Sequence, residues 1–186
     1  MTFEIVRPAP RWLEPYRDMC RVSWGHLHDD YILHDPNDFD RWKERIFLDY
    51  RNRETGIGLP PGIVPSTTLW IVKPERNGKS GECLGVLNLR HILTDELRRY
   101  GGNVGIAIRP DRRGRGIATR ALLRLPELFR DYGIKNEILL TCYADNVPSA
   151  RAIRKLPGIL IEEDVVDRNG KPTPILRARW PIARPN

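Results

Sequence analysis

Val104-Gly-Ile-Ala-Ile-Arg-Pro-Asp-Arg-Arg-Gly-Arg-Gly-Ile-Ala-Thr-Arg-Ala-Leu-Leu123 decides how this chain is read. A β-rich run ends at Pro110. A basic turn with two glycines follows and opens directly into a helical pattern. Such a turn aims successive backbone N–H groups at one spot, and a helix start adds partial positive charge there. Gly114 and Gly116 carry no Cβ, so the backbone can come close to an anion. Arg112, Arg113 and Arg115 supply charge. The stretch reads as a cradle sized for a phosphate or pyrophosphate, against the plainer alternative of a strand–turn–helix with surface arginines. Two nucleotide motifs fail. GxGxxG needs a third glycine where Thr119 stands, and the Walker pattern needs Gly-Lys-Ser/Thr.

Working outward, the pattern alternates between helical and strand periods. Thr2 to Arg7 reads as a short strand. Arg11 to Gly25 has apolar residues at helical spacing, including Trp12, Leu13, Tyr16, Met19 and Cys20. Asn37 to Tyr50 is expected to be a second helix, capped by Asn37 or Asp38, with Phe39, Trp42, Ile46 and Phe47 on one face. Gly56 to Ser66, rich in Gly and Pro, is a loop. Thr67 to Lys73 and Glu82 to Leu89 are strands joined by a turn at Arg76-Asn77-Gly78-Lys79. A short polar helical turn covers Thr94 to Tyr100, and Asn103 to Arg109 is the strand before the basic turn. Ile117 to Tyr132 follows as one helix, then a strand at Ile138 to Tyr143 and a helix at Pro148 to Leu156. Strands at Ile159 to Val166 and Ile175 to Ile182 close the chain. The order is α/β, one mixed sheet with helices against it, and no linker divides it, so 1–186 is expected to be a single domain.

Composition narrows the function. The 186 residues carry a net charge of +7, which favours anionic partners such as nucleic acid, anionic lipid or a phosphorylated cofactor. The aromatic–basic interleaving of an RNA surface is missing, so nucleic acid is not expected as a partner. No apolar run is long enough to span a membrane, and Met1-Thr2-Phe3-Glu4 does not open a secretion signal. Cys20, Cys83 and Cys142 form no CxxC pair, which fits a reducing cytoplasm and argues against a zinc site.

Arg113-x-x-Gly116-x-Ala118 resembles the R/Q-x-x-G-x-G/A signature of the GNAT superfamily of N-acetyltransferases, at the place where that family carries it. A second block agrees: Leu139-Leu-Thr-Cys-Tyr-Ala-Asp-Asn146, then Ser149 and Ala150. The resemblance covers roughly Ser80 to Glu163. It implies a GNAT fold, α/β (α+β), with a single, mostly antiparallel sheet splayed between strands four and five. It implies direct transfer of an acetyl group from acetyl-CoA (coenzyme A) to a primary amine of a small molecule. A protein N-terminus or lysine as acceptor, or a non-catalytic acyl-CoA-binding module, stand as alternatives, and a homodimer is compatible. The implied cofactor contacts are the amides of Arg113, Gly114, Arg115, Gly116, Ile117, Ala118 and Thr119 for the pyrophosphate. The backbone of Ile106 and Ile108 would meet the pantetheine arm, with Asn146 and Ser149 on its other side. An N–H near Ile108 would stabilise the oxyanion.

Three positions depart from the family pattern. Ile153 stands where many members carry a tyrosine acid. Asn103 stands where the subgroup of predicted acetyltransferases that this run resembles often has histidine. Leu156-Pro157-Gly158 replaces the usual helix ending. Proton-transfer candidates are therefore His91, Tyr143, Glu96 and Glu162, with His91 as base and Tyr143 as acid favoured; packing roles compete for both. His26 and His28, near Asp29 and Asp30, could suggest zinc, but a polar inter-helix loop explains them as well, and no metal is expected. Asp29, Asp30, Asp35 and Asp38 would instead attract a cationic amine, if they are not simply a solvated acidic loop.

Overall fold

A computed structural model describes residues 2–24, 34–75, 78, 80–132 and 137–182. The chain divides into two compact units, Met1–Asn88 with Gly105–Ile117, and Leu89–Val104 with Ala118–Asn186.

The first unit is built on a four-stranded sheet. Its order is β1 (Glu4–Val6), β2 (Ser66–Lys73), β3 (Glu82–Arg90) and β4 (Val104–Ile108). β1 runs antiparallel to β2, with Ile5 opposite Ile71. β2 is buried from Ser66 to Val72 because it has neighbours on both edges and packing on both faces. Helix α1 (Leu13–Ser23) buries Tyr16, Met19, Cys20 and Ser23. That spacing places one stripe against the sheet. A 3₁₀ turn at Pro10–Trp12 precedes it, so the helix expected from Arg11 has a tighter start. Tyr16, Met19, Trp42, Tyr50, Trp70 and Cys83 share one core. Tyr16 stacks on Trp70, with ring centroids 4.4 Å apart. Each large apolar side chain buried in this way contributes about 1.5–3 kcal/mol.

The helix expected from Asn37 to Tyr50 is instead three pieces. A 3₁₀ turn covers Pro36–Asp38, α2 is Phe39–Trp42, and α3 is Ile46–Thr55. The cap is Asp35, not Asn37 or Asp38: its carboxylate accepts from the Asn37 N–H at 2.8 Å. The Trp42 indole N–H donates to the Asp35 carbonyl at 2.7 Å, anchoring the bend to the core. Of the turn expected at Arg76-Asn77-Gly78-Lys79, only Gly78 is among the described residues.

The second unit holds a three-stranded antiparallel sheet in the order β5 (Glu137–Tyr143), β7 (Lys171–Pro181), β6 (Leu160–Arg168). Among the described residues β4 and β5 share no ladder, so the strands form two sheets where one splayed sheet was expected. Ile138, Leu140, Leu176, Ala178 and Trp180 are buried, while Leu139, Thr141 and Arg177, on the alternate positions, are only half-buried. Ile138 pairs with Trp180 and Leu140 with Ala178, so one face is apolar. The β6–β7 hairpin is longer than expected, because Asn169-Gly170 closes it as a two-residue turn between the paired Arg168 and Lys171. Both residues adopt positive φ, 56° and 76°, and Asn-Gly is the favoured dipeptide for such a two-residue hairpin turn.

The helix expected from Ile117 to Tyr132 is broken. α4 is Ile117–Leu122 and α5 is Leu125–Asp131. Pro126 has no N–H for Leu122, and its ring crowds the turn before it. Arg124 N–H bonds back to Ala121 with 3₁₀ spacing at 3.1 Å. The polar turn near Thr94 closes as a wide π-turn at Leu97–Gly101. The last helix, α6, is Val147–Ile153.

Candidate functional site

In the first unit, β4 is the edge strand of its sheet. The Arg109 N–H donates to Leu84 of β3 at 3.0 Å. Backbone groups alternate sides along a strand, so those of Ile106 and Ile108 point away from β3. Arg113 confirms this direction, because its Nε donates to the Ile108 carbonyl at 3.1 Å. The Ile108 carbonyl is therefore engaged, and its N–H is on the same outward side.

The chain then turns. Pro110–Arg112 is a 3₁₀ turn, with Arg112 N–H bonded to Arg109 O at 3.0 Å and Arg113 N–H to Pro110 O at 3.3 Å. The Arg113 amide, expected to face a pyrophosphate, thus already has an acceptor inside the turn. Gly114 and Gly116 both adopt positive φ, 73° and 71°. Left-handed backbone costs an ordinary residue about 1–2 kcal/mol, so glycine fits the conformation as well as the space. A Cβ at either position would meet no protein atom within 4 Å. That open space is what a close-lying anion would occupy. Arg113 to Gly116 are exposed and Ile117 is buried. α4 begins at Ile117, and the first N–H groups of a helix have no intrahelical acceptor, which applies to Ile117, Ala118 and Thr119.

The arginines of this run have separate duties. Arg109 is buried at 4% exposure. It meets Asp111 at 2.8 Å, Asp18 at 3.0 Å and Glu82 at 3.5 Å. Burial opposes its charge, but Asp111 and Asp18 outweigh burial and hold its pKa above the ordinary value. Burial likewise pushes Asp111 up, and Arg109 and Arg112 more than offset it, holding the carboxyl below its usual range. Arg112 pairs with Glu82 at 2.6 Å. Arg115 makes no ion pair among the described residues.

The second unit carries the remaining candidates. Asn146 caps α6, its side chain accepting from the Ser149 N–H at 3.3 Å. Tyr143, half-buried at the end of β5, lies under the Arg168 guanidinium, 4.1 Å from ring to cation. His91 stacks on Tyr132 at 5.4 Å and lines a cleft with Arg98 and Arg99. Ile153 is buried, so the place of the family's tyrosine is filled by core packing. Glu96 is exposed, and Glu162 lies 3.8 Å from Arg179.

Asn103 has a role the sequence did not disclose. Its N–H and Oδ1 take both backbone groups of Leu139, at 2.7 and 2.9 Å. Its carbonyl and Nδ2 take both backbone groups of Arg90, at 2.8 and 3.2 Å. The side-chain amide reproduces a peptide group, so one buried residue satisfies the ends of β3 and β5 together. Reading it only as a missing histidine overlooked this chemistry.

Of the acidic segment, Asp29 and Asp30 lie outside the described residues, as do His26 and His28. Asp35 is the cap already described, and Asp38 lies 3.9 Å from Arg41. Among the described residues no three His, Cys, Asp or Glu gather to hold a metal ion. Cys20 and Cys83 are buried and Cys142 is half-buried, all as free thiols. No helix of the described residues is long and apolar enough to cross a membrane.

Against known proteins, the profile of the acetyltransferase (GNAT) domain matches residues 20–157. No curated protein matches the sequence. Among solved structures, the microcin C7 self-immunity acetyltransferase MccE, in complex with acetyl-CoA and AMP, is similar at a TM-score of 0.60 and 17% identity. The match covers 97% of this chain and 92% of MccE. Spermidine N-acetyltransferase from Vibrio cholerae, in complex with CoA and spermine, matches at 0.55 and 14%, over 96% and 95%. RimL, a ribosomal L7/L12 α-N-protein acetyltransferase in complex with coenzyme A, matches at 0.60 and 14%, over 98% and 95%.

Proposed function

The chain belongs to the GNAT acetyltransferases, acetyl-CoA-dependent enzymes, and on that premise we propose that it transfers acetyl to the primary amine of a small molecule. The observation that carries this reading is the turn after β4. Two left-handed glycines there leave open space beside an edge strand whose Ile106 and Ile108 backbone groups point outward.

Acetyl-CoA supplies the activated acyl group. The chain binds and orients. The amides from Gly114 to Thr119 would hold the pyrophosphate, and Ile106 would offer its backbone to the pantetheine arm. The outward Ile108 N–H would stabilise the oxyanion, while Arg113 donates to the Ile108 carbonyl and fixes the strand end. Asn146 and Ser149, joined as a helix cap in the second unit, are assigned to the same cofactor by the family resemblance alone. Holding both reactants in one orientation removes much of the encounter entropy. A lysine-like amine has a pKa near about 10.4 and must lose a proton first. His91 is assigned as base and Tyr143 as acid. If so, His91→Gln removes a limb of the pH–rate profile and Tyr143→Phe costs about 10²–10⁴-fold in kcat. A profile and rate unmoved by both would leave the protons to water.

The small-amine acceptor draws support from the likeness to spermidine N-acetyltransferase, and the acidic residues Asp29 to Asp38 suit a cation. A cytoplasmic setting suits the free thiols. The family match runs through both units, which supports reading the chain as one domain. The test is thiol release from acetyl-CoA against a panel of polyamines, amino sugars and N-terminal peptides. A small amine should be the best acceptor. Gly116→Glu should abolish CoA binding by calorimetry, since its carboxylate enters the anion's space and repels it. Wild-type CoA affinity in that variant would overturn the pyrophosphate assignment. Activity confined to peptides would overturn the acceptor.

A further inference from the structure

Within the second unit lies a cleft of about 660 Å³, of whose lining the reading above uses only His91. Its volume is in the range of small-molecule sites. The π-turn Leu97–Gly101 brings Arg98 and Arg99 to it, and β7 brings Arg177 and Arg179. Arg179 pairs with Leu139 and Arg177 with Thr141 across β5 and β7, so both arginines share the face of Leu139. Ile92, Leu93 and Leu139 give the cleft apolar surface.

The charges are unequal. The lining holds these four guanidiniums and one carboxylate, Glu137, with His91 beside them. Arg177 is matched by Asp164 at 2.8 Å, and Arg179 loosely by Glu162 at 3.8 Å. Arg98 and Arg99 are exposed and make no ion pair among the described residues. Arg177 donates to the Arg99 carbonyl at 3.3 Å, which ties the π-turn to the sheet, yet its Nε is buried with no hydrogen-bond partner among the described residues. Like charges crowded in a concave wall repel one another, and the wall focuses their field on whatever enters. An unmet buried donor adds to that cost. An anion relieves the crowding of charge, and guanidinium forks suit carboxylate or phosphate oxygens.

We propose that this cleft is a binding site for a small polyanion, a molecule with two or more carboxylate or phosphate groups on a partly apolar body. The site is separate in chemistry from the acyl-donor turn: it grips through side chains, where the turn grips through backbone.

The test uses the full chain saturated with CoA, which fills the other anion site. Citrate and inorganic pyrophosphate are the two probes, and spermidine is the cationic control. One or both anions should bind with Kd below about 1 mM and raise Tm, and spermidine should not. Binding of citrate alone assigns carboxylates, and of pyrophosphate alone, phosphates. The double substitution Arg98→Ala and Arg99→Ala should weaken the anion about tenfold or more. It should leave CoA affinity unchanged, which also shows that the variant folds. If neither anion binds, or the double variant binds both as tightly as the wild type, the proposal is wrong.

Discussion

The molecule has two arginine-rich regions, and they use the residue in opposite ways. Along Arg109 to Arg115, most guanidiniums are already spoken for. Arg109 is buried among three carboxylates, Arg112 is paired with Glu82, and Arg113 holds the Ile108 carbonyl. Among the described residues Arg113 and Arg115 make no ion pair, and the proposed grip on a ligand is the backbone of the glycine turn. In the cleft of the second unit, Arg98 and Arg99 have no acidic partner among the described residues, Arg177 pairs with Asp164, and Arg179 is only loosely matched by Glu162. The densest basic run is thus chiefly scaffold, and the less conspicuous arginines are the available ones. Counting charge along a sequence does not reveal this, because availability depends on what each cation faces.

The largest effect should separate scaffold from surface. Arg109→Met leaves Asp18, Glu82 and Asp111 without their shared partner. Because Asp18 and Asp111 are partly exposed, the expected loss is about 2–3 kcal/mol, below that of a fully buried pair. In a chain of this length that corresponds to about 4–12 °C in Tm. Arg98→Met, on the exposed π-turn, should change stability by no more than about 0.5 kcal/mol. Equal losses in urea unfolding of the two variants would break the comparison.

A smaller effect sharpens it within the turn itself. Arg115→Ala should weaken CoA by about 0.2–1 kcal/mol, the usual worth of an exposed charge, and the loss should fade as salt rises. Calorimetry at two ionic strengths measures it. A loss of tenfold or more that salt does not diminish would mean that the side chain, and not the backbone, carries the grip.

Much of the fold was legible because its signals are local. The apolar stripe of Tyr16, Met19 and Cys20 signalled α1, and the β-rich run from Thr67 to Lys73 signalled a strand that the structure extends by one residue to Ser66–Lys73. Where the reading failed, a local signal was usually present but underweighted. Pro126 breaks the helix after Leu122 for want of an N–H, and Asn169-Gly170 turns the last hairpin through positive φ. The start of the second helix is different. There Asp35 caps from outside the expected span, and the Trp42 indole anchors it, a contact that sequence spacing alone does not report.

The sequence by itself determined the strand, glycine turn and helix from Val104 to Leu122 and the family they signal, because backbone preference, glycine freedom and helix starts act over a few residues. Only the tertiary structure decided which charges are free and what Asn103 does. Asp18 reaches Arg109 across 91 positions, and Arg99 meets Arg177 across 78. Asn103 joins the backbones of Arg90 and Leu139. Ion pairing and buried hydrogen bonding are settled by proximity in space, and proximity at such separations exists only once the sheets have formed.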